Sequence, residues 1–149
     1  MPTLPKLNFP PIRLRGRRTA QGQEVWDELR QQWVVLTPEE WVRRHLVACL
    51  IEHYGCQRLQ LVEEYPVQLN GQAQRADLVL LGRSGKPLLV AECKAHGVKI
   101  DQAVLDQAVR YNSVLGARYL FLTNGERHYC YEVVDGVATP CPMPLLHEQ

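Results

Sequence analysis

Short runs of apolar residues at alternating spacing dominate the chain, interrupted by two longer stretches in which apolar positions recur every three to four residues. The first helical stretch is announced by Thr37-Pro38-Glu39-Glu40. Thr37 suits the N-cap, Pro38 the first helical position and Glu40 the acidic partner of a capping box. Its apolar stripe is Val42, Leu46, Cys49, Leu50 and His53, with a stop near Gly55. The second helix is predicted over 100–115, with Ile100, Val104, Ala108, Tyr111 and Leu115 on one side and Gly116 at its end. Between the helices, 59–64 and 67–69 read as strand, with Pro66 marking a bend or bulge and Asn70-Gly71 a tight turn. Residues 75–81 and 88–94, joined by a loop over 82–86, complete an antiparallel meander. Residues 119–123 form a buried strand. The strand, helix, strand order places it parallel to 88–94 through a right-handed crossover. A last strand spans 129–134 after the Asn124-Gly125 turn.

The flanks are less regular. Residues 24–36 read as a short hairpin around a polar turn, although Glu28-Leu29-Arg30 alone suits a helix. Before them lies a proline-bearing segment with Arg13, Arg15, Arg17 and Arg18, and after 140 a proline-rich tail. The expected organisation is an N-terminal basic arm over 1–23 lying on or beside the domain, one α/β domain over 24–139, and an irregular tail over 140–149. The expected fold is a mixed β-sheet flanked by helices in the order α-β-β-β-α-β.

Composition narrows the function classes. A chain of 149 residues holds one domain and no additional motor. No apolar run is long enough to span a bilayer and no signal-peptide pattern is present, so the expected location is cytoplasmic. Five cysteines without a CxxC pair signal neither a zinc cluster nor a disulfide framework. A net charge of +1 argues against a general polyanion binder, while the four arginines clustered near the start read either as a local basic arm or as a solvated, disordered leader. Residues 82–86 lack the spacing of a phosphate-binding loop, so no ATP site is encoded. Trp26, Trp33 and Trp41 cluster before and within the first helix and read as packing residues rather than stacking platforms, and His96 as a solvated loop side chain.

The chemistry lies in Asp77 and in Glu92-Cys93-Lys94. Alternation along a strand puts Glu92 and Lys94 on one face and Cys93 on the other. A symmetric hairpin brings Asp77 opposite Glu92, with Cβ atoms about 5 Å apart. Two carboxylates at that distance repel each other unless a cation lies between them. Carboxylate oxygens are hard ligands suited to Mg²⁺ or Mn²⁺, and a neighbouring ammonium can orient an attacking water. Charges placed on such apolar strands are costly unless they serve a site.

Arg75-Ala76-Asp77, Glu92-Cys93-Lys94 and Gln107-Ala108-Val109-Arg110-Tyr111 resemble the PD-(D/E)xK nuclease superfamily, with the QxxxY helix of its RecB-like branch. Thr37 to Arg43, Asp106-Gln107 to Tyr111-Asn112, Leu122-Thr123-Asn124-Gly125 and Tyr129-Cys130 are, more narrowly, similar to the N-terminal nuclease domain of type I restriction enzyme R subunits. The resemblance spans about 24–134. It implies that Asp77, Glu92 and the Cys93 carbonyl hold the metal, that Lys94 positions or activates water, and that Gln107 and Tyr111 face the same groove. Arg110 and Arg75 are further candidates for nucleic-acid contact. The superfamily commonly adds a glutamate from the first helix, for which Glu39 and Glu40 are both candidates. Its proline before the first aspartate is Ala76 here.

The implied function is metal-dependent endonucleolytic cleavage of DNA, by a chain acting alone, as a homodimer or within a larger nuclease complex. The alternative is a catalytically silent nucleic-acid-binding or assembly module that keeps the nuclease fold. RNA is a further candidate substrate.

Overall fold

The structure, a computed structural model, describes residues 4–146; the outer ends of the expected arm and tail, 1–3 and 147–149, lie outside the described residues. Strands β1 (Gly16–Thr19), β2 (Gly22–Asp27) and β3 (Gln32–Val35) form a small antiparallel sheet. Helix α1 (Pro38–Glu52) follows. Strands β4 (Leu61–Leu69), β5 (Gln72–Leu81) and β6 (Pro87–Cys93), helix α2 (Gln102–Leu115), and strands β7 (Tyr119–Thr123), β8 (His128–Val134) and β9 (Val137–Pro140) complete the chain. The main sheet has the order β4-β5-β6-β7-β8-β9, and only the β6/β7 pair is parallel. The mixed α/β architecture and the crossover agree with the sequence reading.

Alternation along the central strands explains the layering. Leu78, Leu80, Leu89, Ala91, Cys93 and Phe121 pack with Val42, Leu46 and Leu50 of α1. Val79, Val90, Leu120 and Leu122 project the other way, onto Val104, Ala108 and Tyr111 of α2. Both faces of β6 and β7 are thus covered, which accounts for their nearly continuous apolar sequence. In α1, Thr37 accepts the Glu40 N–H as N-cap, but the Glu40 carboxylate binds arginines instead of closing a capping box. The helix ends at Glu52, and the stripe is narrower than expected: Cys49 is half-buried and His53 exposed. In α2, Asp101 caps the start by accepting the Val104 N–H, and Gly116 closes the end in the left-handed conformation that a residue with a Cβ adopts reluctantly.

Several local features add to the sequence reading or depart from it. Residues 16–19 are a strand paired with β2, and the division expected at residue 23 falls inside β2. The preceding segment is strapped to the domain: Leu7 is buried in the core, the Trp41 indole N–H donates to the Pro5 carbonyl at 2.8 Å, and Asn8 donates to the Gly125 carbonyl. Strand β4 runs straight through Pro66, and its irregularity is at Glu64, which has φ of 52°. One further strand, β9, ends the domain at the edge of the expected tail, paired with β8 around Asp135-Gly136, and Leu146 of the tail returns to the core.

Candidate active site

Asp77 and Glu92 come together where β5 and β6 part. Regular pairing ends at Leu78 and Ala91, one step short of the two acids. In place of the next ladder step, the Asp77 N–H donates to Glu92 Oε2 at 3.2 Å and the Cys93 N–H donates to Asp77 Oδ2 at 2.8 Å. Each acid is therefore held by the other strand's end. Glu92 is only 4% exposed. Burial, the neighbouring Asp77 carboxylate and the hydrogen bond between them push the Glu92 carboxyl well above the ordinary carboxylate range, with the Lys94 ammonium opposing the shift. Two carboxylates so close in a dry setting share a proton or recruit a cation.

Lys94 stands one residue past β6, half-buried, and its N–H donates to the Thr123 carbonyl at 2.8 Å. That bond extends the parallel β6/β7 register by one step. Asn124 then ties the adjoining loop, its amide donating to the Val98 carbonyl at 2.7 Å while its carbonyl oxygen accepts the Glu126 and Arg127 N–H groups. The Thr123-Asn124-Gly125 turn thus fixes the backbone on both sides of Lys94. Cys93 points away into the α1-side core, where burial raises its thiol far above the usual range.

On the α2 side, the Gln107 amide donates to the Tyr111 hydroxyl at 3.0 Å. Tyr111 is buried, and its phenol is pushed up first by burial and then by the charges of Glu92 and Asp77, with Gln107 opposing. The charges of both acids thus reach the Tyr111 phenol. Arg110 and Arg75 are both exposed, on α2 and β5 respectively.

The α1 side supplies a cleft of about 220 Å³ lined by Thr37, Glu39, Glu40, Arg43, Glu64, Asp77 and Cys93. The two helix glutamates differ in their partners. Glu39 is exposed at the cleft, whereas Glu40 is buried and held by Arg43 at 2.6 Å and Arg44 at 3.0 Å. Arg43 also reaches Glu64 at 2.6 Å and the Asp77 carbonyl at 3.3 Å. Burial lowers the Arg43 guanidinium, but Glu40 and Glu64 outweigh it and hold the group well above its ordinary value. Neither Glu64 nor Arg43 figures among the residues singled out from sequence. The only signals were a tandem Glu63-Glu64 inside an apolar strand and the three-residue spacing of Glu40 and Arg43.

Behind the cleft lies a second acidic group, Asp27, Glu40 and Glu63, with ligand-capable oxygens within 4.8 Å of one another. Arg44 reaches all three and Arg30 bridges Asp27 and Glu63. Burial raises Asp27, yet Arg44 and Arg30 bring it below the ordinary carboxylate range. Guanidinium groups already neutralise this cluster, so its donor set braces the small sheet against α1 and β4 and does not suit a cation. Among the described residues, the side-chain cations recorded at Asp77 and Glu92 are Lys94, whose charge acts on Glu92, and Arg43, which meets the Asp77 carbonyl, and the hard oxygens of the two acids fit a divalent cation.

The sequence profile of the type I restriction enzyme R protein N terminus (HSDR_N) matches residues 38–143. The chain belongs to that family. The R-protein N-terminal fold is also seen in a solved fragment described as an HsdR subunit of a type I restriction enzyme from Vibrio vulnificus YJ016, at 24% identity and a TM-score of 0.53. The match covers 71% of this chain and 23% of that one, so this chain corresponds to under a quarter of that fragment. No curated protein matches. The matched stretch of this R-protein N-terminal chain includes α1, the acids, Lys94, Gln107 and the Thr123-Asn124-Gly125 turn, and leaves out β1 to β3. None of its described helices is long and apolar enough to cross a membrane.

Proposed function

We propose that this chain is a metal-dependent DNA endonuclease domain that hydrolyses phosphodiester bonds, with Asp77 and Glu92 as the metal-holding acids and Lys94 as the residue that positions the attacking water. The observation that supports this most is the Asp77/Glu92 pair: two carboxylates locked together by backbone N–H donors, one of them buried, beside an ammonium. That arrangement is unfavourable on its own and becomes favourable with a divalent cation. The Cys93 carbonyl and Glu39 complete the oxygen donors, because Glu40 is committed to Arg43 and Arg44. Mg²⁺ or Mn²⁺, when bound, supplies charge stabilisation at the scissile phosphate. The chain's own residues do the rest. Lys94 holds water by its ammonium, kept in place through its backbone bond to Thr123. Gln107 and Tyr111 orient the acids from the α2 side, and Arg75 and Arg110 meet backbone phosphates from the exposed surface.

The test is incubation of the purified chain with supercoiled plasmid and Mg²⁺ or Mn²⁺, alongside Asp77→Ala and Lys94→Ala. Nicking that both substitutions abolish supports the nuclease. DNA retention without cleavage, unchanged by Lys94→Ala, assigns the chain to a silent binding or assembly role. RNA in the same assay decides between the two polymers, and sedimentation with and without DNA decides between monomer, homodimer and larger complex. DNA as substrate, a cytoplasmic setting and the metal's identity all rest on this reading.

A further inference from the structure

The small sheet carries a basic, aromatic face that the proposed cleavage site does not use. Arg15 lies beside Trp26, whose N–H donates to the Arg15 carbonyl, and Trp26 lies opposite Trp33 on β3. The two indoles meet edge to face with centroids 5.4 Å apart. The Arg15 guanidinium sits 5.1 and 5.4 Å from the two ring centres, and Arg17 lies 4.3 Å over Trp33 while Glu24 holds it at 2.7 Å. Both tryptophans are only half-buried, and the Arg17 side chain is 47% exposed. The packing role expected of these indoles is therefore incomplete: Val25 and Asp27 fill the buried face of the same strand. Arg13 lines the groove shared by Arg15 and Trp26. Charge follows the same division. Residues 1–35 hold six basic and three acidic side chains, and 36–149 hold eleven and thirteen, so the chain's positive excess is concentrated on this part.

We propose that this face binds a single-stranded segment of DNA, with phosphates on Arg13 and Arg15 and unpaired bases stacked on the planes of Trp26, Trp33 and Arg17. The proposal rests on the reading of the neighbouring cleft as a DNA-cleaving site. Stacking planes select for unpaired bases, because a duplex keeps its base faces buried in its own stack. Guanidinium groups held over the indoles, and in Arg17 also by Glu24, are already ordered, so a base meets them at small entropic cost. Position supports a shared strand. Thr37, the α1 N-cap that lines the cleft, follows Trp33 of β3 by four residues, which span at most about 14 Å of chain.

The experiment is a titration of the full chain with oligothymidylate in EDTA, where no cleavage occurs, read by quenching of intrinsic tryptophan fluorescence. Saturable quenching is expected, with duplex of the same length binding more weakly. Trp33→Ala and Arg17→Ala each weaken binding at least about fivefold, as loss of one stacked base does. Trp33→Phe retains part of the affinity, and Arg15→Ala lowers the salt slope of log Kd by about one. Absence of saturable quenching, or duplex binding as tight as single-strand binding and indifferent to Trp33→Ala and Arg17→Ala in folded protein, overturns the proposal. Plasmid cleavage that persists without oligothymidylate binding removes this inference and leaves the nuclease reading standing. Binding without cleavage removes the nuclease reading alone.

Discussion

Arg43 grips both oxygens of Glu40, through Nη2 at 2.6 Å and Nε at 3.2 Å, one helical turn along α1. This forked pair decides how the two adjacent glutamates divide their work. Glu40 is buried and saturated by guanidinium groups, while Glu39 stands at the cleft without such a clamp. A carboxylate shared between two arginines is a poor metal ligand, since each guanidinium competes with the cation for the same lone pairs.

The first prediction follows from that division. Glu39→Gln leaves the unfolding midpoint within the small range of surface substitutions, about 0.5 kcal/mol, and lowers Mn²⁺-supported plasmid cleavage. Arg43→Ala removes one of the guanidinium partners of buried Glu40, which keeps Arg44, and the partner of half-buried Glu64, and costs about 1–3 kcal/mol in urea unfolding. Loss of cleavage in a folded Glu40→Gln, with Glu39→Gln fully active, would reverse the assignment.

Metal binding itself is measurable without turnover. A cation that binds only the folded chain stabilises it by about 2.7 kcal/mol at a concentration one hundred times its Kd. The Tm is therefore expected to rise with Mg²⁺ or Mn²⁺, and Asp77→Asn is expected to abolish the rise. Without metal, Asp77→Asn removes a charge that raises the Glu92 carboxyl, so the loss of stability with rising pH becomes shallower in this variant. A parent whose Tm ignores both cations would remove the Asp77/Glu92 pair from consideration as a metal site.

The Glu92 carboxyl gives a pH signature. Its folded-state value lies above the unfolded value of 4.5, so the folded chain holds a proton that the unfolded chain releases. The stability this contributes is complete below about pH 4.5 and is lost progressively as pH rises from there toward the raised folded-state value. Glu92→Gln, which keeps the shape and is neutral throughout, flattens that part of the stability-against-pH curve in EDTA. Saturating Mn²⁺ flattens it as well, because the metal favours the ionised form. A parent and a Glu92→Gln variant with parallel curves would contradict the assignment.

The sequence carried the central fold because its elements are locally specified. Thr37 and Pro38 start α1, Asn70-Gly71 closes β4 onto β5, Gly116 ends α2, and the apolar runs of β6 and β7 require cover on both faces. Strand β1 escaped notice because Gly16-Arg17-Arg18-Thr19 has no apolar alternation and is a strand only through its pairing with β2. Strand β9 is short, exposed and ends in Pro140, although Asp135-Gly136, both at positive φ, was a legible hairpin signal. The site divides along the same line. The pairing of Asp77 with Glu92 follows from hairpin register over fifteen residues, whereas Arg43 with Glu64, or Arg44 with Asp27, joins distant segments that no local pattern links.

Lys94 and Asn124 separate chemistry from positioning. The Lys94 ammonium acts on the Glu92 carboxyl, so Lys94→Ala removes the water-orienting charge and is expected to lower the cleavage rate about 10²- to 10⁴-fold. The Mn²⁺-induced rise in Tm persists in this variant, because the carboxylates remain. Asn124 touches neither the acids nor the cleft; its side chain holds the Val98 carbonyl and the turn that anchors the Lys94 N–H through Thr123. Asn124→Ala leaves two N–H donors and one carbonyl without partners, at a stability cost of about 1–3 kcal/mol, and lets Lys94 drift. The rate then falls while retaining its dependence on Lys94, so that the double variant Asn124→Ala/Lys94→Ala is no slower than Lys94→Ala alone. If the two losses multiply instead, Asn124 acts on catalysis by a route that does not pass through Lys94.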